Sequence, residues 1–222
     1  MAGRRWWGLL SAGALCCAAA APAPAHPHVW VTMRTDIVFG GDGLIDGINI
    51  DWTFDDAYAR VALDGLDTNG DGVYSDDELA PLTENNLAVL KDYDYFTAAR
   101  FKGQKLAIAA ATDYGQIWSD DKLELHFHVP LKTPVDPRQG QFVLKVYDPD
   151  FFVDIEYVRD EPYSVLGAMP ASCKPVLKSK PTDADLDQTR KMLATKGTDW
   201  KPENNEDFGA MFAQALLIAC GP

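Results

Sequence analysis

The sequence predicts an α+β protein, mostly antiparallel β-sheet with a helical insertion, and three observations predict it. Segments on either side of residues 55–100 alternate apolar and polar residues with the period of two that a half-buried strand requires. The intervening stretch spaces its leucines as a helix does. Of 222 residues, 47% are hydrophobic and 24% charged, the balance of a globular chain with enough apolar material for one core.

Along the chain, residues 1–25 read as a cleaved export signal. Arg4 and Arg5 precede an apolar run over residues 6–20, and Ala23-Pro24-Ala25 supplies the small residues of a cleavage site. Cleavage there leaves one exported domain, residues 26–222, and no later segment approaches the roughly 20 apolar residues of a spanning helix. Residues 28–39 and 44–54, rich in Val, Ile, Trp and Thr around Gly40-Gly41-Asp42-Gly43, predict a β-hairpin. Asp55 or Asp56 can cap a first helix through Tyr58, Val61 and Leu66. A second helical region carries Leu79, Leu82, Leu87 and Leu90, with a break expected at Pro81 and a restart capped by Thr83. Strands are expected at 106–112, 122–131, 141–147 and 151–158, divided by Asp, Pro and Gly. A polar helix beginning near Asp183 and an apolar segment through Phe208, Phe212 and Leu217 to Cys220 complete the reading.

Charge and cysteine content narrow the function classes. With 20 Lys and Arg against 33 Asp and Glu, a formal charge of −13, the chain lacks the basic footprint that nucleic-acid phosphates require. After cleavage only Cys173 and Cys220 remain, and an even count in an exported chain without metal-type spacing reads first as a disulfide.

The sharpest motif is the run Asp67-Thr68-Asn69-Gly70-Asp71-Gly72-Val73-Tyr74-Ser75-Asp76-Asp77-Glu78. A twelve-residue calcium loop needs oxygen ligands at positions 1, 3, 5, 7, 9 and 12, a turn-making glycine at 6 and a bidentate glutamate at the end. Asp67, Asn69, Asp71, the Val73 carbonyl, Ser75 and Glu78 fill those places for Ca2+, so the segment resembles an EF-hand. It departs from the pattern at Tyr74, where an aliphatic residue is usual, at Pro81, and in having no second copy. A structural rather than a switching calcium site is the expectation.

All four histidines fall in two closely spaced pairs, His26-Pro27-His28 and His126-Phe127-His128. Residues two apart on a strand face the same side, so each pair projects together, with Glu124 beside the second. Grouped imidazoles suit divalent Ni, Co, Zn or Cu, and the expectation is one transition-metal site that uses at least three of the four. Cleavage after Ala25 would give His26 a free α-amine, and Pro27 lacks the N–H that a square-planar amide site needs. No nucleophile elbow, phosphate-cradling glycine loop or distinctive carboxylate pair appears, so no catalytic set is expected.

His26-Pro27-His28-Val29-Trp30, Trp52-Thr53-Phe54-Asp55, Tyr147-Asp148-Pro149 with Phe151-Phe152-Val153, and the terminal Phe208-Gly209, Phe212-Ala213 and Cys220 together resemble the family numbered 1007 among the domains of unknown function. The resemblance spans essentially the whole mature chain. It implies a protein of the bacterial envelope, loosely described as the substrate-binding part of a transport system and encoded beside nickel/cobalt-type permeases. Carried onto this sequence, its motif positions are His26, His28, Trp52, Asp55 and Asp148, which makes Asp148 a candidate metal ligand; Asp148-Pro149 reads equally as a turn.

The expected function is therefore a periplasmic protein that captures or delivers a divalent transition metal for an inner-membrane permease, stabilised by calcium and not embedded in the membrane after cleavage. Two other readings stay open at the sequence level. One is a copper oxidoreductase built on an amino-terminal histidine brace, and the other is a calcium-stabilised binding module whose histidines are incidental.

Overall fold

The computed structural model describes residues 28–150, 152–182 and 208–221. Two sheets and two helices enclose one core, so the α+β expectation holds. The first sheet has the order β5-β6-β2-β1-β8, built from β1 (Val29–Phe39), β2 (Ile45–Phe54), β5 (Thr112–Ser119), β6 (Lys122–Val135) and β8 (Val153–Tyr157). β9 (Tyr163–Gly167) continues along the same edge of β1 beyond β8. The second sheet runs β10-β11-β7-β3-β4, from β10 (Cys173–Lys178), β11 (Ala215–Cys220), β7 (Phe142–Val146), β3 (Thr97–Phe101) and β4 (Gln104–Lys105).

The expected hairpin is present, and its strands alternate except at Gly47, which is buried next to Ile48. Val31, Met33, Thr35, Ile37, Ile48, Ile50 and Trp52 are buried, while Thr32, Arg34, Asp36, Asn49 and Asp51 face outward. β6 does the same with Leu123, Leu125, Phe127 and Val129. Burying side chains of this size contributes about 1.5–3 kcal/mol each, and β1, β2 and β6 therefore fix which face of the first sheet is wet. On the opposite, buried face the Tyr157 and Thr35 hydroxyls hydrogen-bond at 3.2 Å, and burial pushes the phenol up to about 12.

Asp55 caps α1 (Asp56–Ala62), accepting from the backbone N–H groups of Ala57 and Tyr58 at 2.8 and 3.0 Å. The same carboxylate accepts from Trp30 N at 2.9 Å and so ties the end of β2 to the start of β1. Partial burial works against the charge, yet the three N–H groups hold this carboxyl below its usual range.

α2 (Asp76–Lys91) passes through Pro81 without the expected break. Proline removes one N–H and crowds the carbonyl four residues back, here Asp77, which is exposed and has water as an alternative. A Ser75–Glu78 capping box starts the helix, and burial of Leu79, Thr83, Leu87 and Leu90 outweighs the lost bond. Thr83 does not cap a restart; its hydroxyl donates to Leu79 O at 3.0 Å.

Residues 106–111 form only an isolated bridge, Ile108 to Leu131, on the way from the second sheet to the first, and Thr112, expected to end that strand, begins β5 instead. The Asp183 helix lies outside the described residues. Cys173 and Cys220 are disulfide-bonded and face each other directly across β10 and β11. No described helix is long and apolar enough to cross a membrane.

Candidate metal centre

On the outward face of the first sheet, strand pairing lines up rows of polar side chains. One row reads Gly115, His126, Asp51 and Arg34, and the next reads Thr112, His128, Asn49, Asp36 and Ser164. His126 and His128 thus share one face, as the alternation requires. With Asp36, Asn49, Asp51 and Asp113 they line an open cleft of about 370 Å3.

A chain of hydrogen bonds orients His128. Ser164 Oγ donates to Asp36 Oδ1 at 2.7 Å, and Asn49 Nδ2 donates to Asp36 Oδ2 at 3.3 Å. That fixes the Asn49 amide with Oδ1 turned to His128 Nδ1, 2.7 Å away. Nδ1 therefore carries the proton, and the Nε2 lone pair stays available for a metal. Burial lowers the His128 pKa further, which keeps the ring neutral. Asp51 moves in the opposite direction, its carboxyl raised first by burial and then by Asp36. A cation in the cleft would relieve both the desolvation and the repulsion.

Each imidazole lies over a glycine of the neighbouring strand. A Cβ at Gly47 would stand 2.6 Å from His128 Cε1, and one at Gly115 would stand 2.8 Å from His126 Cε1. The rings accordingly lean apart, His128 over β2 and His126 over β5, toward the seam with α2 that Asp76 and Glu84 also line. Among the described residues, no three His, Cys, Asp or Glu side chains come close enough together to hold a metal ion. The face is a set of oriented donors, not an assembled coordination shell.

The structure does not bring His28 to this pair. His28 precedes β1, six residues before Arg34, the residue in the His126 row, which places it about 20 Å away along the strand at ~3.3 Å per residue. There its ring lies 4.7 Å from that of Phe152 and its N–H donates to Phe152 O at 2.8 Å. His26 lies outside the described residues. Asp148 belongs to this end as well, 5% exposed, with Oδ1 accepting from Asp150 N and Oδ2 from Phe152 N and Val153 N. Its carboxylate organises the turn into β8. Of the motif positions, Trp52 is core, while Asp55 and Asp148 fasten backbone.

In the calcium-like loop, Asp67 accepts from the N–H groups of Gly70, Asp71 and Gly72, and Gly72 at position 6 has φ +79°. The turn that a calcium loop needs is therefore formed by the chain itself, and the donor set fits a hard cation. Glu78 is held by Ser75 and Thr68, whose backbone and hydroxyl donors keep its carboxyl down at about 2. Tyr74 packs edge-on against Trp118 of β5, centroids 5.9 Å apart, and so anchors the loop to the first sheet.

Sequence reasoning missed Asp36, Asn49, Asp51 and the two glycines. The hairpin register carried a signal for the first three, since alternation from the Gly40–Gly43 turn puts them on the polar face. Their meeting with His126 and His128 depends on the pairing of β2 with β6, which no local pattern encodes.

Fold and site define a two-sheet α+β protein with an imidazole-and-carboxylate face and an Asp- and Gly-rich insertion loop. The chain belongs to DUF1007, a family described as protein of unknown function, whose model matches residues 11–220. It is similar to an uncharacterized protein of Haemophilus influenzae, 24% identical over 201 residues that cover 88% of this chain and 91% of that protein. It is also similar to an uncharacterized 15.5 kDa protein in the trpE 3′ region of Spirochaeta aurantia, 30% identical over 99 residues covering 45% of this chain and 70% of that one. No solved structure matches.

Proposed function

We propose that this is a periplasmic metal-binding protein that captures or delivers a divalent transition metal, Ni, Co, Zn or Cu, for an inner-membrane permease. The observation that carries this reading is the Ser164–Asp36–Asn49–His128 relay. A hydrogen-bonded carboxylate and amide that fix one imidazole nitrogen as donor are the usual outer support of a histidine metal ligand, and the relay leaves Nε2 unprotonated on a ring that lines a cleft with His126 and Asp51. In this reading His128, His126 and Asp51 supply the ligands, and the metal's chemistry is binding alone. His28 lies at the far end of the same sheet, where Asp148 organises the turn into β8 instead of ligating.

The test is metal analysis of untagged protein isolated from the periplasm, followed by calorimetric titration with Zn2+, Ni2+, Co2+ and Cu2+. His126→Ala with His128→Ala should abolish tight uptake, and His28→Ala should leave it nearly intact. If the pair at 126 and 128 can be removed without loss, the histidines there are incidental and the reading fails.

We also propose that residues 67–78 bind Ca2+ as a structural site, which the self-formed turn and the oxygen donor set support. Millimolar calcium should raise the melting temperature, and Glu78→Gln should remove most of that rise. An unchanged melting temperature of the parent in calcium would exclude the site.

A further inference from the structure

The outer face of the second sheet carries a feature that the metal reading does not use. We propose that it is a binding site for a small organic carboxylate, seated between Lys145 and Arg100. Ala98 pairs with Lys145 and Arg100 pairs with Val143 across β3 and β7, so all four side chains emerge on the outward face, with the two cations on diagonal positions. Diagonal neighbours have Cα atoms about 7–8 Å apart, within the joint reach of two long side chains. Ala98 leaves room opposite Lys145, and the turn at residues 208–211 closes one side. The result is a hollow of about 360 Å3 lined by Ala98, Arg100, Val143, Lys145, Tyr147 and Met211.

Two cations meet in the hollow with no carboxylate among its lining residues. Five other basic side chains of the described residues do reach carboxylates: Arg34 with Glu161, Lys105 with Asp94, Lys122 with Asp56, Arg138 with Asp136, and Lys180 with Asp154 and Glu156. Among the described residues neither Arg100 nor Lys145 has an ion-pair partner. Arg100 Nη1 donates to Gly103 O at 3.1 Å and Lys145 Nζ to Ala210 O at 2.9 Å. That contact pins the ammonium in the hollow with two of its three donors unspent. Lys145 is half-buried, and burial and the nearby Arg100 depress its pKa, the signature of a cation without an anion. A planar carboxylate matches the guanidinium fork and takes a further bond from the ammonium. Ala98, Val143 and Met211 offer a short aliphatic chain its apolar contact. Phosphate fits less well, because no glycine-rich backbone cradle is present to replace its hydration.

The site is independent of the metal face, so either can fail alone. The test is titration calorimetry and thermal denaturation of the full exported protein with acetate, butyrate and inorganic phosphate at matched ionic strength. Saturable binding is expected for butyrate, tighter than for acetate or phosphate. Lys145→Met should weaken butyrate by about tenfold or more, the loss of one charge-assisted bond. Without ligand that variant should melt no lower than the parent, because an unpaired charge has been removed. Should it fail to fold, Arg100→Gln, at an exposed position, decides: weakened butyrate binding supports the site and unchanged binding overturns it. Absence of saturable butyrate binding by the parent, or phosphate binding as tightly, overturns the proposal.

Discussion

The two sheets share one core and turn opposite chemistry to solvent. The first has long strands and an outward face of imidazoles and carboxylates, joined by side-chain bonds that run across β9, β1, β2 and β6. The second has short strands, a disulfide across β10 and β11, and on its outer face two cations that no carboxylate of the described residues pairs. Polar groups crowded onto a sheet cost desolvation, and Asp51 and His128 show that cost in the directions of their pKa shifts. A covalent link costs nothing of that kind. The comparison teaches that one core can carry two chemically distinct outer faces, the first rich in imidazole and carboxylate donors and the second cationic and covalently cross-linked.

The largest effect that would sharpen this division is loss of the disulfide. Opening a loop with a sequence separation of 47 should cost about 4 kcal/mol in the chain-entropy model, read by denaturant titration of a Cys173→Ser, Cys220→Ser variant. Metal affinity should be unchanged wherever that variant is folded. The reverse pattern is expected for His126→Ala with His128→Ala, about a hundredfold or more in metal affinity with little change in stability. Gly47→Ala falls between, because its Cβ would meet both the His128 ring and Val129 O at under 3.0 Å. It should lower stability by about 1–3 kcal/mol and weaken metal binding together. Asn49→Ala, which frees the ring without crowding it, should weaken metal binding about tenfold.

The smallest effect is on pH dependence. The folded pKa of His128 lies below its unfolded value near 6.5, so its contribution to stability is present above 6.5 and is lost as pH falls through the lower folded value. Metal uptake at His128 should persist to a lower pH than a freely exposed histidine would allow. Parallel titrations of metal affinity in the parent and in Asn49→Ala would show whether the buried setting matters.

Much of the fold was legible because its signals are local. Alternation from residue 29 to 54 located the hairpin and its faces, Asp55 located a cap, and two cysteines located the link. Pro81 misled, since propensity alone does not weigh the apolar contacts that hold α2 through it. The parallel pairing of β8 and β9 with β1, and the place of β2 between β1 and β6, were not legible, because register between distant segments is set by the packed core. For the same reason the spacing His-x-His marked His126 and His128 correctly as sharing a face, but the expectation that His28 joins them failed, because spacing within a strand does not fix the distance between strand ends. Asp36 and Asn49 look like ordinary polar strand residues until Ser164 and His128 are placed beside them.

The most direct measurement of the central claim is a long-range 1H–15N spectrum of the histidine rings, recorded before and after addition of Zn2+. The account predicts that metal-free His128 is a neutral Nδ1–H tautomer and that Zn2+ perturbs its Nε2, and the Nε2 of His126, before any signal of His28. A His128 that carries its proton on Nε2, or zinc that moves only the His28 ring, would contradict it.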